Sequence, residues 1–154
     1  SSDVCSSDLT EVRLTLAAAS FFPWSARAEG SDVLLWALNA HRQDIGIAPL
    51  FPEPALTKMS QQQAFYMHKI SRATHIGPGG SDPIERGVRS GYEGRILGEA
   101  LAESVEGARD TLKLWMGHDQ TRAVPLDSDA RRVGLSCIGD PRVGPVHWDL
   151  VLGA

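Results

Sequence analysis

Two residues near the middle of the chain, His75 and Glu99, have side chains that could bind a metal ion or move a proton. They lie 24 positions apart: His75 opens a glycine-rich loop at residues 74–81, and Glu99 follows Gly98 in an apolar run. A carboxylate in apolar surroundings must find a partner, lose its charge or reach a cleft. The pair therefore forms a candidate site, with Glu99 as its candidate catalytic group.

The segment between these two residues predicts a short helix with clear ends. Asp82 can cap it, Pro83 suits the first helical position, and Gly91 is placed to follow its last residue. The preceding glycine-rich loop lacks the lysine and hydroxyl residue of a phosphate-binding loop, so its expected role is to fix the direction of His75.

The remaining periodicity predicts an α+β fold, with helices first and paired strands last. Ser31 or Asp32 can cap a first helix that ends at Gly46, and Met and aromatic residues of a second helix suit its core face. Two alternating runs near the C-terminus read as an antiparallel hairpin with one buried face. The expected ranges are helices at about 54–70 and 104–116, and strands at 133–137 and 146–152.

Composition and charge exclude some classes of protein. The 154 residues are 42% hydrophobic and 22% charged, which suits one globular domain. The net charge is −4 and the basic residues are scattered, so nucleic acid is not an expected partner. No segment after residue 28 is apolar enough to span a membrane.

The N-terminal residues carry two predictions about processing. Residues 1–9 are polar and serine-rich, and we interpret them as a non-native or disordered leader. Residues 10–28 resemble a secretory signal peptide, with Arg13, an apolar stretch and a cleavage pattern ending at Ala28. The mature chain would be one domain, residues 29–154, that is secreted or extracytoplasmic and has Cys137 as its single cysteine, a small core residue.

Taken in order along the chain, short motifs resemble those of the CAP superfamily, which groups cysteine-rich secretory proteins, antigen 5 and pathogenesis-related proteins. The chain is most similar to the bacterial branch, the SCP-like extracellular domain. The resemblance covers residues 32–153. The matching residues are Asn39 and Arg42, Gly46 to Leu50, Pro54 to Leu56, Thr74, His75, Gly77, Pro78 and Gly80, Gly91 and Tyr92, Gly98 and Glu99, Trp115 and Met116, Val133 and Gly134, and Trp148, Val151 and Gly153.

The resemblance implies an α-β-α sandwich in which helices flank a small antiparallel sheet. Its central cleft would gather two histidines and two acidic residues, with zinc bound in some members. His75 matches the first histidine and Glu99 the acid of the family's G-E-N motif, but Ala100 replaces the asparagine. Without gaps, the second histidine falls on Thr121, while His118 lies three residues earlier.

Two hypotheses remain open at this point. His118 could turn into the cleft and bind zinc together with His75, leaving Glu99 beside an acidified water. Alternatively, His75 and Glu99 form a hydrogen-bonded pair that stabilises a partly degenerate cleft. Asp119 is a weaker candidate for the missing acid, and both His68 and His147 are expected at the surface.

The corresponding functions belong to different classes. The first is an extracytoplasmic binding or interaction module for a small ligand, lipid or peptide, with His75, Glu99 and His118 lining the cleft. The second is a divalent-metal-dependent hydrolase with Glu99 as general base. A structural role at the cell envelope is a third possibility. A monomer is the simplest expectation, and the sequence leaves open whether the protein is an enzyme.

Overall fold

The computed structural model describes residues 26–104 and 107–154. The proposed leader, and residues 10–25 of the proposed signal peptide, lie outside the described residues. The predicted boundaries after residue 9 and after residue 28 therefore stay predictions. Within the described ranges, no helix is both long and apolar enough to cross a bilayer.

Helices precede and interrupt a four-stranded sheet, in agreement with the predicted α+β class. The helices are α1 (Ala26–Asp44), α2 (Pro54–Ile70), α3 (Pro83–Ser90), α4 (Ala108–Met116) and α5 (Asp119–Arg122), with a 3-10 turn at Pro78–Gly80. The strands are β1 (Phe51–Pro52), β2 (Ile96–Ser104), β3 (Arg132–Ile138) and β4 (Val146–Gly153).

The ends predicted for α3 are confirmed atom by atom. The Asp82 carboxylate accepts a hydrogen bond from the Glu85 N–H, and the Glu85 carboxylate accepts one from the Asp82 N–H. Pro83 occupies the first turn, and Gly91 ends the helix with a left-handed φ of 86°. This reciprocal cap satisfies two donors that a helix N-terminus otherwise leaves free, so α3 is a fixed platform.

Two predicted boundaries are wrong. Helix α1 does not begin at Ser31 or Asp32 but extends back to Ala26, because the residues from Ala26 to Glu29 are good helix formers and outweigh the single Gly30. The helix predicted from residue 104 begins only at Ala108, because Ser104 is the last residue of β2, where it pairs with Val146. The range 54–70 predicted for the second helix is confirmed as α2.

The sheet has the order β1-β3-β4-β2. The predicted hairpin is confirmed as the antiparallel pair of β3 and β4, and β2 pairs antiparallel with the other edge of β4. Strand β1 adds a short parallel contact to β3. The expectation of one buried face is wrong, since all of β4 is buried. Its central position gives it a neighbour on each side, and helices cover both faces.

The layers form the α-β-α sandwich that the resemblance implied. Helix α2 packs on β3 and β4, while α1 packs on β3 and on α4, which in turn contacts β2. The approach of α2 is close enough that a Cβ at Gly134 would overlap the backbone of Leu56 and Thr57. A glycine at this point of β3 therefore lets helix and strand touch.

Polar residues of α1 tie the first loop to the rest of the fold. Arg42 is fully buried, and its guanidinium donates to the carbonyl oxygens of Ala48, Pro125, Asp127 and Ala130. The Asn39 amide donates to the Leu50 carbonyl at 3.0 Å and accepts from the Leu50 N–H at 2.8 Å. These contacts confirm a structural role for both residues and leave neither side chain for a ligand.

Cys137 is buried on β3, as expected of a core residue, and it is disulfide-bonded in this chain. The expectation of a single cysteine applied to a mature chain that starts at residue 29. The chain's other cysteine, Cys5, precedes that residue and lies outside the described residues.

Candidate functional site

The loop that carries His75 is held in place by α2. The Gln63 side chain, buried on that helix, donates to the carbonyl oxygen of Thr74 at 2.6 Å. The Thr74 hydroxyl then accepts from the N–H of Ile76 at 3.1 Å. Both neighbours of His75 are therefore fixed, which supports the prediction that this loop directs the histidine.

Gly77 lets the loop fold tightly against the same region. Its N–H donates to the Ser81 carbonyl at 2.8 Å. A Cβ at this position would lie 2.8 Å from the Gln63 Oε1 and the Ser81 Oγ, and 2.9 Å from the Arg86 Cδ. A methyl group here would have to displace side chains that are themselves hydrogen-bonded, which favours glycine at this position.

Glu99 lies on the inner part of β2, and its side chain is only 1% exposed. One carboxylate oxygen accepts from the His75 Nδ1 at 2.8 Å, and the other forms an ion pair with the guanidinium of Arg86. Both oxygens therefore have a partner. The predicted hydrogen-bonded pair of His75 and Glu99 is present in the structure.

Arg86 is a component of the site that the sequence analysis missed. It is buried on α3 and donates not only to Glu99 but also to the carbonyl oxygens of His75, at 2.7 Å, and Ser81, at 2.9 Å. One guanidinium thus joins the loop, helix α3 and strand β2. The available signal was that a buried Glu99 needs a partner, but the sequence did not indicate which cation supplies it.

Asp149 is the second missed component. It lies on β4 and is fully buried, and the polar side chains beside its carboxyl are those of Ser60, Glu99 and Arg86. Burial raises the pKa of this carboxyl well above its usual value, and the negative charge of Glu99 raises it further, against the opposing charge of Arg86. The sequence analysis did not single out this residue, because the predicted hairpin had only one buried face.

The exposure of His75 differs from that of its partners. Its side chain is 59% exposed, whereas those of Glu99 and Arg86 are 1% and 7% exposed. Because Glu99 engages the Nδ1 atom, the Nε2 atom on the far side of the ring is left for other contacts. The His75 imidazole is therefore exposed but held in place by the buried ion pair of Glu99 and Arg86.

His118 lies apart from this arrangement. It is exposed at the position preceding α5 and makes no side-chain cap to that helix. Asp119 forms an ion pair with Arg122, and the Thr121 hydroxyl donates to the Trp115 carbonyl at 2.7 Å. In residues 26–104 and 107–154 no three His, Cys, Asp or Glu side chains form a group that could hold an ion.

The described side chains therefore do not fit a zinc site made by His75, His118 and Glu99. The Nδ1 of His75 and both oxygens of Glu99 are already bonded within the protein. A carboxylate that is buried against a guanidinium is also poorly placed to act as a general base. Zinc binding by these residues stays a prediction, which metal analysis of the protein can decide.

His147 corrects another expectation. It was predicted at the strand surface, but it is 1% exposed, because both faces of β4 are covered. Burial lowers the pKa of its imidazole and His68 lowers it too, against the opposing effect of Glu103. His68, correctly expected to be exposed, contacts it, with 3.3 Å between the two Nδ1 atoms.

Comparison with known proteins places the chain in a family. The model of the cysteine-rich secretory protein family, CAP, matches residues 35–148, well over half of the chain. No curated protein matches the sequence significantly.

Three solved structures share the fold at low sequence identity. An outer surface protein of Borrelia burgdorferi has a TM-score of 0.74 at 16% identity, over 81% of this chain and 92% of that one. An extracellular protein of Bacillus anthracis that contains an SCP domain has a TM-score of 0.72 at 13% identity, over 82% and 41%. A cysteine-rich secretory protein of Staphylococcus aureus has a TM-score of 0.66 at 15% identity, over 85% and 40%.

The family match and the shared fold agree with the order of motifs in the sequence and with the sandwich described above. The chain belongs to the cysteine-rich secretory protein (CAP) family.

Proposed function

We propose that this protein is an extracytoplasmic binding module and that His75 is the residue through which its cleft contacts a small ligand, lipid or peptide. The observation that carries the proposal is the contrast within the site: the His75 ring is 59% exposed, and its partner Glu99 is 1% exposed. The hydrogen bond to Glu99 fixes the orientation of the His75 ring, while the opposite edge of the ring is exposed. This suits recognition, because little side-chain freedom is lost on binding.

The location part of the proposal is supported by the related structures. One neighbour is described as an outer surface protein and another as an extracellular protein with an SCP domain. The signal peptide expected at residues 10–28 agrees with export. Secretion can be checked by expressing the chain with its N-terminus intact and sequencing the N-terminus of any exported product, which we expect to begin at Glu29.

Binding can be tested by following the His75 imidazole by nuclear magnetic resonance. The probes are dodecanoate, a mixed hexapeptide library and a library of small fragments. We expect at least one probe to shift the His75 resonances in the wild type, and its binding to weaken in His75→Ala. His41→Ala, which changes an exposed histidine on α1, is the matched control. Binding that persists unchanged in His75→Ala, or no shift with any probe, would contradict the proposal.

The metal-dependent hydrolase stays the alternative prediction, with His75 and His118 as metal ligands and Glu99 as general base. It requires the exposed His118 to move to the cleft and Glu99 to leave Arg86. Metal analysis of the purified protein separates the two functions. Stoichiometric zinc that is lost in both His75→Ala and His118→Ala would favour the hydrolase.

A further inference from the structure

A cavity in the described part of the chain lies away from His75. It has a volume of about 990 Å³ and lies between α1, α2, β3 and the loop that joins β3 to β4. Neither His75 nor Glu99 lines it. Two other histidines do, His68 from α2 and His147 from β4. The cavity is therefore a separate location from the proposed ligand contact.

These two histidines meet through the same ring atom. Their Nδ1 atoms are 3.3 Å apart, and the rings cross at 71° with centroids 5.4 Å apart. Each ring therefore points its Nδ1 at a common region rather than stacking on the other. In the absence of an ion, one Nδ1 must carry the proton that the other accepts.

The separation also suits two ligands of one ion. Imidazole nitrogens bind zinc at about 2.0–2.1 Å, so two of them at a tetrahedral angle are about 3.3–3.4 Å apart. The observed 3.3 Å separation needs little rearrangement for both lone pairs to face one cation. Imidazole is a ligand suited to zinc, copper and nickel.

Glu103 places a carboxylate behind His147, as is common for histidines that bind a metal. Its Oε2 lies 3.6 Å from the His147 Nε2, on the opposite side of the ring from His68. This is just beyond hydrogen-bond distance, and the Nε2 atom has no other hydrogen-bond partner in the described part of the chain, so a small movement of the Glu103 side chain would pair the two. The same oxygen accepts from the N–H of Ala73 at 3.3 Å, which helps to hold it there. A carboxylate behind the far nitrogen favours a proton on Nε2 and leaves Nδ1 free, an arrangement common among metal-bound histidines.

We propose that His68 and His147 bind a divalent transition-metal ion, such as Zn²⁺, through their Nδ1 atoms at the wall of this cavity. Glu103 acts as a positioning residue for His147. Because the described residues contain no three-member group of metal-binding side chains, the ion has two histidine ligands and completes its coordination with water from the cavity. This site goes beyond the proposed function and does not depend on it.

Calorimetric titration of the full chain with ZnCl₂ tests the proposal. The wild type should bind one equivalent, and His68→Ala should lose that binding. His68 is exposed, so its replacement should leave the fold intact, which circular dichroism can verify. His41→Ala is the matched control and should bind as the wild type does. Glu103→Gln should weaken the affinity by about tenfold or more, as loss of a carboxylate behind a metal-bound histidine does.

Several results would overturn the proposal or move the ion elsewhere. A wild type that binds no zinc overturns the proposal, and so does zinc binding that survives in His68→Ala. Loss of binding in His75→Ala with retention in His68→Ala would transfer the ion to the cleft and support the hydrolase instead. The ¹⁵N resonances of both Nδ1 atoms should move on zinc addition, because both are ligands. If only one moves, the two-histidine site is wrong.

Discussion

The two faces of the sheet differ in chemistry although both are buried. On one face, alternate residues of β4, namely Trp148, Leu150 and Leu152, pack with Leu34 and Leu38 of α1 in the main apolar core. On the other face, the intervening residues His147 and Asp149 are buried beneath α2, with Val151 alongside. The same strand thus contributes apolar contacts to one layer and titratable groups to the other.

This difference separates stability from function. The stabilisation from buried apolar surface does not depend on the relative orientation of the side chains. A buried polar group, in contrast, is tolerated only where it has a specific hydrogen-bonding or charged partner. The polar face holds Glu99, Arg86 and Asp149. His75 contacts Glu99 at one side of it, and the pair of His68 and His147 lies beside Glu103. We therefore expect substitutions on the apolar face to change stability alone, and substitutions on the polar face to change the geometry of His75 as well.

The largest effect is expected on the apolar face. Trp148→Ala removes a fully buried indole and should lower the free energy of unfolding by about 3–5 kcal/mol, measured by urea denaturation. The control is Trp36→Ala, which changes a 69% exposed residue on α1 and should cost far less. Equal costs for the two variants would contradict the assignment of Trp148 to the core.

Breaking the ion pair on the polar face should cost nearly as much. Glu99→Ala leaves the Arg86 guanidinium buried without its carboxylate, and we expect a loss of about 3 kcal/mol. Arg86 keeps two carbonyl acceptors, so the loss should lie at the lower end of the usual range. The double variant Glu99→Leu, Arg86→Met should recover part of this loss. If the double variant loses as much stability as Glu99→Leu and Arg86→Met lose separately and in sum, the two side chains do not interact.

A smaller effect is expected where the loop touches this layer. Gly77→Ala places a methyl group 2.8 Å from the side chains of Gln63 and Ser81, and should cost about 1–3 kcal/mol. Gly144→Ala is the matched control, because a Cβ there would meet nothing within 4 Å. Thermal unfolding of both variants measures the difference. Equal melting temperatures would mean that the loop can move away from Gln63 at little cost.

Titration of Asp149 should make the stability of the protein depend on pH. Since its pKa is raised in the folded state, its contribution to stability is present below its ordinary pKa of 3.8 and is lost as pH rises through the folded value. Asp149→Asn removes this loss. Compared with the wild type, the variant should therefore be relatively more stable at pH 8 than at pH 4 in urea denaturation. A stability difference that does not change with pH would contradict the raised pKa.

The smallest effect on stability should come from the exposed member of the site. His75→Ala removes a hydrogen bond between a 59% exposed ring and Glu99, and should cost no more than about 1 kcal/mol. The ion pair of Glu99 with Arg86 remains in that variant. A loss as large as that of Glu99→Ala would show that His75 is a structural residue rather than a projecting contact.

The sequence predicted those features that depend on local chemistry. The capping residues of α3, the range of α2 and the pairing of β3 with β4 all follow from residues close together in the chain. The contact of His75 with Glu99 was one of two alternatives, and the structure contains it.

The missed features depend on which elements cover the sheet. Alternation along β4 indicates two faces but not that helices bury both, so His147 was expected at the surface and Asp149 was not recognised as a buried group. Arg86 was missed because a helix position alone does not show which strand lies beneath it. The 3.3 Å approach of His68 to His147 joins residues 79 positions apart and has no local pattern.

The central claim, that buried Glu99 fixes the exposed His75 ring, can be tested directly by the ¹⁵N spectrum of that imidazole. Because an ionised Glu99 can only accept, we predict that neutral His75 carries its proton on Nδ1 in the wild type and loses this preference in Glu99→Gln. A proton on Nε2 in the wild type, or the same spectrum in both proteins, would contradict the account.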